Sequence, residues 1–282
     1  MRNLIIIILL VLVVGGIIYF LTRPSKRAHT KKQPQTESVA SNAVENAEQP
    51  VAAFPLGIST THPEWPAVSD TGSVVSHSGF SLVYDETHEQ ARWVAYELTQ
   101  AETGNEIERS NNFMEDPHIS TRSATNADYA KSGYDRGHLA PASDMGWSTT
   151  SMEESFYFSN MSPQNPSFNR GIWKKLETQV RNWANEHEAV YVVTGPVLSE
   201  GLPTIGPNEV SVPKYYYKVI LDSTEPGMHG IGFILPNAPS KLPLSSFALT
   251  IDSVEKVTGL DFFPALPQGS KMLEGENCFQ CW

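Results

Sequence analysis

The chain has very little cysteine, and this scarcity narrows the classes of protein it can belong to. Its 282 residues include only two cysteines, Cys278 and Cys281. A disulfide-dense scaffold and a four-cysteine zinc site are therefore excluded. The pair forms a C-x-x-C close to the end of the chain. It could be a local disulfide, a minor redox pair or part of a surface tail, and the surface tail is favoured.

Positive charge is also scarce. Residues 51–282 hold 14 lysines and arginines against 28 aspartates and glutamates. Such a domain is an unfavourable nucleic-acid binder, because attraction to phosphates is the usual source of affinity. Binding would require the few cations to cluster, since the local field matters more than the net charge. Five cations lie in or after one central motif, although those on the predicted helix could form only its solvated face: Arg136, Arg170, Lys174, Lys175 and Arg181.

The one long hydrophobic run lies at the start of the chain. Residues 4–21 (LIIIILLVLVVGGIIYFL) carry no charge and are long enough to span a bilayer. No small-residue cleavage site follows, which favours a retained transmembrane anchor over 1–21 rather than a cleaved signal peptide. Residues 22–53 have valine as their only large apolar residue, which predicts a disordered polar linker. We expect the folded domain over 54–270 and a C-terminal tail over 271–282.

The domain lacks a βαβ series and a glycine-rich phosphate loop, and its patterns indicate an α+β fold. We predict a mixed, largely antiparallel sheet layered with helices. Apolar residues every three or four positions predict one helix from about 167 to 187, and residues 251–259 predict a short helix. That short helix has Asp252 as a candidate N-cap and Gly259 as a candidate C-cap. Strands are predicted at 79–85, 91–98, 190–196, 214–222 and 230–236, with a short strand within 155–169 and a long ordered loop over 99–132.

The tetrapeptide DRGH at 135–138 carries the strongest chemical signal. Arg136 can present a fork of donors to a phosphate, and a histidine such as His138 can act as a base near neutral pH. Downstream, Asn169, Trp173 and Glu177 are spaced i, i+4, i+8, which places them along one ridge of a regular helix. An amide oxygen and a carboxylate suit a hard cation such as Mg²⁺. Taken singly, a loop histidine is more often structural, and an asparagine near a helix start is more often a cap.

The combination of motifs resembles a known family. DRGH is preceded by ATNADYAKSGY (124–134) and followed by FYFSNMSPQNPSFNRGIWKKLE (156–177), VYVVTGPVL (190–198), VPKYYYKVIL (212–221) and VEKVTGLDFFPAL (254–266). These segments, in this order, resemble the DNA/RNA non-specific endonucleases, the ββα-metal or His-Me finger nucleases of the endonuclease G type. The resemblance spans about residues 75–267. It implies a ββα-metal finger core and Mg²⁺-dependent hydrolysis of DNA and RNA with little sequence preference, leaving 5′-phosphate ends, with Mn²⁺ as a possible substitute.

The resemblance also implies roles for individual residues in and after DRGH. His138 corresponds to the general base that activates the attacking water. Asn169 corresponds to the one protein ligand of the metal, whose other positions water fills. Arg136 corresponds to an arginine near the scissile phosphate. Asp135 is expected to support the base.

Three further residues complete the implied site. Glu177 corresponds to a carboxylate that acts through water on the metal. Asn160 corresponds to a site asparagine in the loop before the helix. Arg109 is the candidate for a substrate-binding arginine, in an upstream loop whose length varies within the family.

Alternatives and location remain open at this point. A catalytically inactive relative that only binds nucleic acid is the second hypothesis. A Ser–His–Asp hydrolase using Ser143 or Ser159 is disfavoured, because the sequence has no G-x-S-x-G elbow. Basic residues after the apolar run favour a cytoplasmic domain. A non-specific nuclease there would threaten its own genome, so we expect a single-pass membrane protein with an extracytoplasmic nuclease domain, with the cytoplasmic orientation still open. DNA, RNA, the membrane and a second copy in a homodimer are the expected partners.

Overall fold

The computed structural model describes residues 61–67, 73–104, 107–222 and 228–265, together with Phe279 and Trp282. The predicted anchor over 1–21, the predicted linker over 22–53 and both cysteines lie outside the described residues. None of the helices in the described ranges is long and apolar enough to cross a membrane.

A seven-stranded sheet forms the centre of the domain. Its strands are rich in β-branched and aromatic residues, which favour extended structure. The strand order is β1-β2-β3-β6-β9-β10-β11, and every pairing between described strands is antiparallel. Two smaller antiparallel pairs, β4-β5 and β7-β8, lie outside this sheet. The strands are β1 Val74–Ser76, β2 Ser81–Asp85, β3 Gln90–Thr99, β4 Asp135–His138, β5 Met161–Gln164, β6 Ala189–Pro196, β7 Thr204–Ile205, β8 Val210–Ser211, β9 Tyr215–Asp222, β10 His229–Pro236 and β11 Ala248–Leu249.

Within the described ranges, four α-helices and several shorter turns cover and connect the strands. The α-helices are α1 Asn126–Tyr129, α2 Thr149–Glu154, α3 Lys174–Glu186 and α4 Ile251–Thr258. A π-helical turn, Phe168–Trp173, leads directly into α3. The 3₁₀ turns are Gln100–Thr103, Phe158–Asn160 and Leu244–Phe247.

The large sheet has an apolar layer on each face, which explains why its central strands read as nearly continuous hydrophobic runs. On one face, Leu176 and Val180 of α3 pack with Tyr216 and Ile220 of β9. On the other face, Val254 of α4 belongs to a second cluster with the alternate residues of β9. The α+β prediction is therefore confirmed at the level of a large antiparallel sheet with a few helices, although the pairings between the described strands of this sheet are antiparallel rather than mixed.

Capping residues explain where helix α4 begins and ends, and one of the two predicted caps was wrong. The C-cap Gly259 adopts the predicted left-handed conformation, with φ 70°. The N-cap of α4 is Thr250, whose side chain accepts a hydrogen bond from the Ser253 backbone, so the prediction of Asp252 as N-cap was wrong. Asp252 lies instead in the first turn, where a carboxylate also interacts favourably with the helix dipole. The predicted loop over 99–132 contains the turn Gln100–Thr103 and helix α1.

Candidate active site

The DRGH tetrapeptide forms strand β4, which pairs with β5 so that Arg136 lies opposite Pro163 and His138 opposite Met161. Gly137 is required here, because a Cβ at this position would clash with the buried side chain of Gln164. The strand therefore holds Asp135, Arg136 and His138 on a rigid element rather than on a free loop.

His138 is almost completely buried, with 8% of its surface exposed. Its ring packs edge-on against Phe156 at a centroid distance of 4.8 Å and against Phe113 at 6.0 Å. Its Nε2 atom is buried and has no hydrogen-bond partner within the described ranges. Burial, reinforced by Arg109 and Arg136, lowers the pKa of His138 to about 3. The imidazole is thus neutral at physiological pH and can accept a proton.

Acid should destabilise the protein through His138. The folded-state pKa of about 3 lies below the ordinary value of 6.5, so between these pH values the unfolded chain binds a proton that the folded chain rejects. Stability is then unaffected by this group above pH 6.5 and decreases as pH falls, by about 1 kcal/mol per unit below pH 6. Urea unfolding of the wild type and of His138→Gln at pH 7, 6 and 5 measures this. Parallel losses in the two proteins would contradict the assignment.

Two arginines approach His138 through the aromatic rings that enclose it. The Arg136 guanidinium lies 4.0 Å from the centroid of Phe113, and its Nη1 donates to Asn126 Oδ1 at 2.6 Å. The Arg109 guanidinium lies 4.9 Å from the centroid of Phe156. Both predicted arginines are therefore brought close to His138, including the one in the upstream loop.

Asn169 is held by the acid of the DRGH strand. Its amide nitrogen donates to Asp135 Oδ2 at 2.9 Å, and Arg170 donates to both oxygens of the same carboxylate at 2.8 and 2.6 Å. With its nitrogen engaged, Asn169 keeps its amide oxygen as the atom that could bind a cation. Asp135 thus fixes the π-helical turn against β4.

The predicted ridge through Asn169, Trp173 and Glu177 does not form. Gly171 has φ −109° and ψ −107°, so the segment before α3 is a π-helical turn interrupted by a non-helical residue. As a result, Trp173 is buried against Phe168 and Tyr216 of the core, whereas Asn169 faces Asp135. The amide and the carboxylate of the site are consequently placed by two differently oriented segments.

Glu177 lies half-buried in the first turn of α3. Burial raises the pKa of its carboxyl group above the usual range, and nearby Asp144 acts in the same direction. Lys218 beneath it, with Arg181 and Arg109, opposes that rise. Glu177 and His138 therefore both sense the charge of Arg109.

Asn160 uses its whole side chain to hold the backbone after DRGH. Its Oδ1 accepts from the Ala140 backbone at 2.9 Å, and its Nδ2 donates to the carbonyls of Ala140 at 2.9 Å and Ser155 at 2.8 Å. The residue is fully buried. Asn160 therefore fixes the path of the backbone that follows His138. Both hydrogens of its amide nitrogen are used in these bonds, so Asn160 has no donor left for a ligand.

A pocket of about 380 Å³ opens beside these residues. Residues of the DRGH strand, the π-helical turn and helix α1 line it, and they include aromatic, cationic and amide groups. The lining residues are Phe113, Asn126, Tyr129, Ala130, Tyr134, Asp135, Arg136 and Asn169. The pocket therefore brings the candidate phosphate-binding arginine together with the candidate metal ligand.

A second group of polar side chains could also hold a metal ion, and it was not identified in the sequence analysis. Ligand atoms of His77, Asp116 and His118 all lie within 4.8 Å of one another. His77 Nε2 is 3.0 Å and His118 Nδ1 is 3.2 Å from the Asp116 carboxylate, which also accepts from Ser159 at 2.5 Å. An Asp-x-His spacing was the only local signal, since His77 comes from a distant turn. Phe113, Phe156 and Lys218 were likewise missed.

Comparison with known proteins identifies the family. The sequence profile for DNA/RNA non-specific endonucleases matches residues 65–269. The chain belongs to the DNA/RNA non-specific endonuclease family. The predicted resemblance is confirmed, and the nuclease relatives support the prediction of a hydrolytic endonuclease.

Individual relatives cover most of the described domain. The chain is 39% identical over 202 residues to the mitochondrial nuclease EXOG of Danio rerio. The aligned segment covers 66% of this chain and 59% of that protein. It is 36% identical over 204 residues to human mitochondrial endonuclease G, covering 67% and 69%. It is 38% identical over 209 residues to nuclease C1 of Cunninghamella echinulata, covering 68% and 83%. This chain thus spans less than two thirds of the zebrafish protein's length.

A solved structure shows the same fold. The crystal structure of an EndoG/EndoGI complex, whose title concerns the inhibition of EndoG, contains a chain that superposes with a TM-score of 0.66 at 35% identity. The match covers 72% of this chain and 91% of that one. The α+β architecture of this chain is therefore that of an endonuclease G.

The predicted localisation was wrong. A single-pass membrane protein with an extracytoplasmic nuclease domain disagrees with the EXOG and endonuclease G relatives, which are mitochondrial nucleases by name, and no described helix could span a membrane. The charge-based alternative, a membrane-anchored domain facing the cytoplasm, fails for the same reason. A membrane partner has no support either, and the homodimer stays a prediction.

Proposed function

We propose that this chain is a metal-dependent endonuclease that hydrolyses phosphodiester bonds of DNA and RNA with little sequence preference and leaves 5′-phosphate ends. The observation that carries the proposal is the buried His138, whose unpartnered Nε2 stays unprotonated beside two arginines. A neutral imidazole held on a strand can take a proton from an attacking water. Family membership supplies the substrate class.

We assign the other site residues by their contacts. Arg136 borders the pocket and can offer guanidinium donors to a phosphate, and Arg109, which packs on the Phe156 ring beside His138, can add positive charge. Glu177 orients water from its position near Arg109. Asn160 acts as a positioning residue, because its hydrogen bonds fix the chain next to His138.

The residues around Asn169 fit a hard cation such as Mg²⁺, with Mn²⁺ as a substitute. Asp135 engages the Asn169 nitrogen and leaves its oxygen, the ligand type that Mg²⁺ prefers, at the pocket wall. When bound, the cation would stabilise negative charge on the phosphoryl group and the leaving oxygen. We propose that β4, β5 and the turn leading into α3 together form the ββα-metal finger core.

The distribution of cations supports substrate binding by an acidic protein. Arg170 is engaged by Asp135, and Arg181 is tied to Asp144 at 2.7 Å, so these two are partly neutralised. Lys174 and Lys175 are exposed and, with Arg170, line a pocket of about 370 Å³ next to the π-helical turn. A polynucleotide bound at the site could follow these side chains, and contacts of this kind weaken as salt rises.

Cleavage of supercoiled plasmid by the purified full chain tests the proposal. We expect the plasmid to be nicked and then degraded in the presence of Mg²⁺ or Mn²⁺. Single-stranded RNA should be degraded under the same conditions, and neither substrate should react in EDTA. End-labelling after phosphatase treatment identifies the 5′-phosphate. If the protein binds DNA in a gel-shift assay but leaves it intact across metals and salt concentrations, the catalytic proposal fails and the inactive binding relative replaces it.

A further inference from the structure

Two histidines and one aspartate bring three metal-ligating side chains together outside the DRGH strand. His77 Nε2 lies 3.0 Å from Asp116 Oδ2, and His118 Nδ1 lies 3.2 Å from Asp116 Oδ1. The ligand atoms of the three residues all lie within 4.8 Å of one another. His77 comes from the turn between β1 and β2, whereas Asp116 and His118 come from the loop before α1. The fold therefore assembles the group from two segments that are distant in sequence.

The separations between the ligand atoms suit a tetrahedral metal ion. Zinc binds imidazole nitrogens and carboxylate oxygens at about 2.0–2.2 Å, so two ligands of one tetrahedral ion lie about 3.4 Å apart. The contacts of Asp116 with the two histidines are close to this value. Imidazole nitrogens also favour zinc and similar transition metals over Mg²⁺, which prefers oxygen ligands. Three protein ligands leave a fourth position for water.

Two of the three ligands are already held in place by the core of the domain. The side chains of His77 and Asp116 are 0% exposed, and the His77 ring packs against Phe80 at a centroid distance of 4.7 Å. The Ser159 hydroxyl donates to the Asp116 carboxylate, a contact of the kind that orients a metal ligand from behind. His118 is half-exposed, with 52% of its side chain accessible, and it gives an ion a path from solvent.

Hydrogen bonding alone does not require this arrangement. The Asp116 carboxylate also accepts from the His118 backbone N–H and from Ser159, so it has partners on both oxygens without either imidazole. The half-exposed His118 ring has water available as a partner, yet its Nδ1 turns towards the buried carboxylate. A ligand of a shared ion has to point in this direction.

We infer that His77, Asp116 and His118 form a binding site for Zn²⁺ or a chemically similar transition-metal ion, separate from the hard-cation site proposed at Asn169. None of the three residues lines the pocket beside Asn169. An ion bound here would tie the turn before β2 to the loop before α1. Through Asp116 and Ser159 it would also brace the turn Phe158–Asn160. The ion therefore has a structural role, and its binding should stabilise the folded chain.

Isothermal titration with Zn²⁺ tests the inference on the full chain, in excess Mg²⁺ and without nucleic acid. A C278S/C281S background removes the two thiols, which would also bind zinc. We expect one Zn²⁺ per chain and a rise in the unfolding temperature of about 5 °C or more when Zn²⁺ exceeds its dissociation constant about 100-fold. H118A and D116N should each weaken Zn²⁺ binding by at least about tenfold, because even outer contacts of a metal site have effects of that size.

Two control variants show whether the effect is specific to this group. H62A removes a partly exposed histidine outside it, and N169A removes the proposed Mg²⁺ ligand; both should bind Zn²⁺ as the background does. H118A decides the test if D116N does not fold, because removal of the half-exposed ring leaves the contact between His77 and Asp116 in place. The inference is overturned if the background shows no binding heat, if H118A keeps the full Zn²⁺ affinity, or if N169A loses it. Since no nucleic acid is present, failure here leaves the proposed nuclease function untouched, and a chain that binds Zn²⁺ but never cleaves refutes only that function.

Discussion

A His138→Ala variant of the full chain should cleave plasmid DNA about 10²- to 10⁴-fold more slowly than the wild type, the usual contribution of a positioned general base. The expected loss is large because no other described histidine has the same surroundings. His138 lies between Phe113 and Phe156, with Nε2 unpartnered and with two arginines nearby. The imidazole of His138 is neutral in these surroundings and can therefore accept a proton. In the alanine variant, a water molecule that fills the space of the ring would not be held in the same position.

Two further variants make the result specific. His138→Gln fills more of the space left by the imidazole but cannot accept a proton at neutral pH, so it should be as inactive as alanine while keeping more stability. His62→Ala removes a histidine that is partly exposed and bonded to Glu64, and it should retain wild-type rates. DNA binding in EDTA should survive in all three variants. If His138→Gln retains cleavage within about tenfold of the wild type, His138 is not the base.

Much of the fold is predictable from hydrophobic pattern, and β9 illustrates why. Its apolar residues alternate between two clusters, Tyr216 and Ile220 on one face and Tyr217 and Val219 on the other, which is the pattern of a strand covered on both sides. The predicted range 214–222 accordingly agrees with the observed Tyr215–Asp222. Strands of two or three residues, such as β7 and β11, are too short to show any period, and they were missed for that reason.

The start of α3 shows the limit of the same reasoning. An apolar stripe gave a helix from about 167, and Ile172 and Leu176 are indeed buried on one side. The stripe carries no information on whether the turn is α or π, and Gly171 allows the backbone to leave helical geometry. Asn169 therefore points at Asp135 rather than along the ridge of Glu177, an orientation that depends on a contact across 34 positions of sequence.

The candidate site was predictable only in part for a similar reason. His138, Arg136 and Asn169 were identified through motifs that resemble a family, whereas the contacts between these residues and their partners join segments that lie apart in sequence. Phe113, for example, approaches His138 from the loop before α1. A local sequence pattern does not specify which distant segments come into contact, so these partners could not be predicted.

Asn169→Ala should abolish most metal-dependent cleavage, with a loss of about 10²-fold or more at millimolar Mg²⁺. The reason is that the amide oxygen of Asn169 is the side-chain atom left at the pocket wall once its nitrogen is bound to Asp135. Isothermal titration with Mg²⁺ or Mn²⁺ gives a readout independent of catalysis, and the binding heat should weaken together with the rate. Asn182→Ala, an exposed asparagine farther along α3, is the matched control and should behave as the wild type.

An Asp135→Asn variant tests the support of the proposed metal ligand Asn169 without removing Asn169 itself. It keeps Asn169 but weakens the hydrogen bonds that orient Asn169 and Arg170, so we expect a smaller loss, partly recovered at high metal concentration. If Asn169→Ala instead keeps both the wild-type rate and the wild-type metal titration, the metal is bound elsewhere. The group of His77, Asp116 and His118 then becomes the candidate, and Asp116→Ala should be the variant that loses the binding heat. Because Asp116 also accepts from Ser159, directly before Asn160, unfolding measurements must accompany that variant to separate loss of metal from loss of the turn that supports His138.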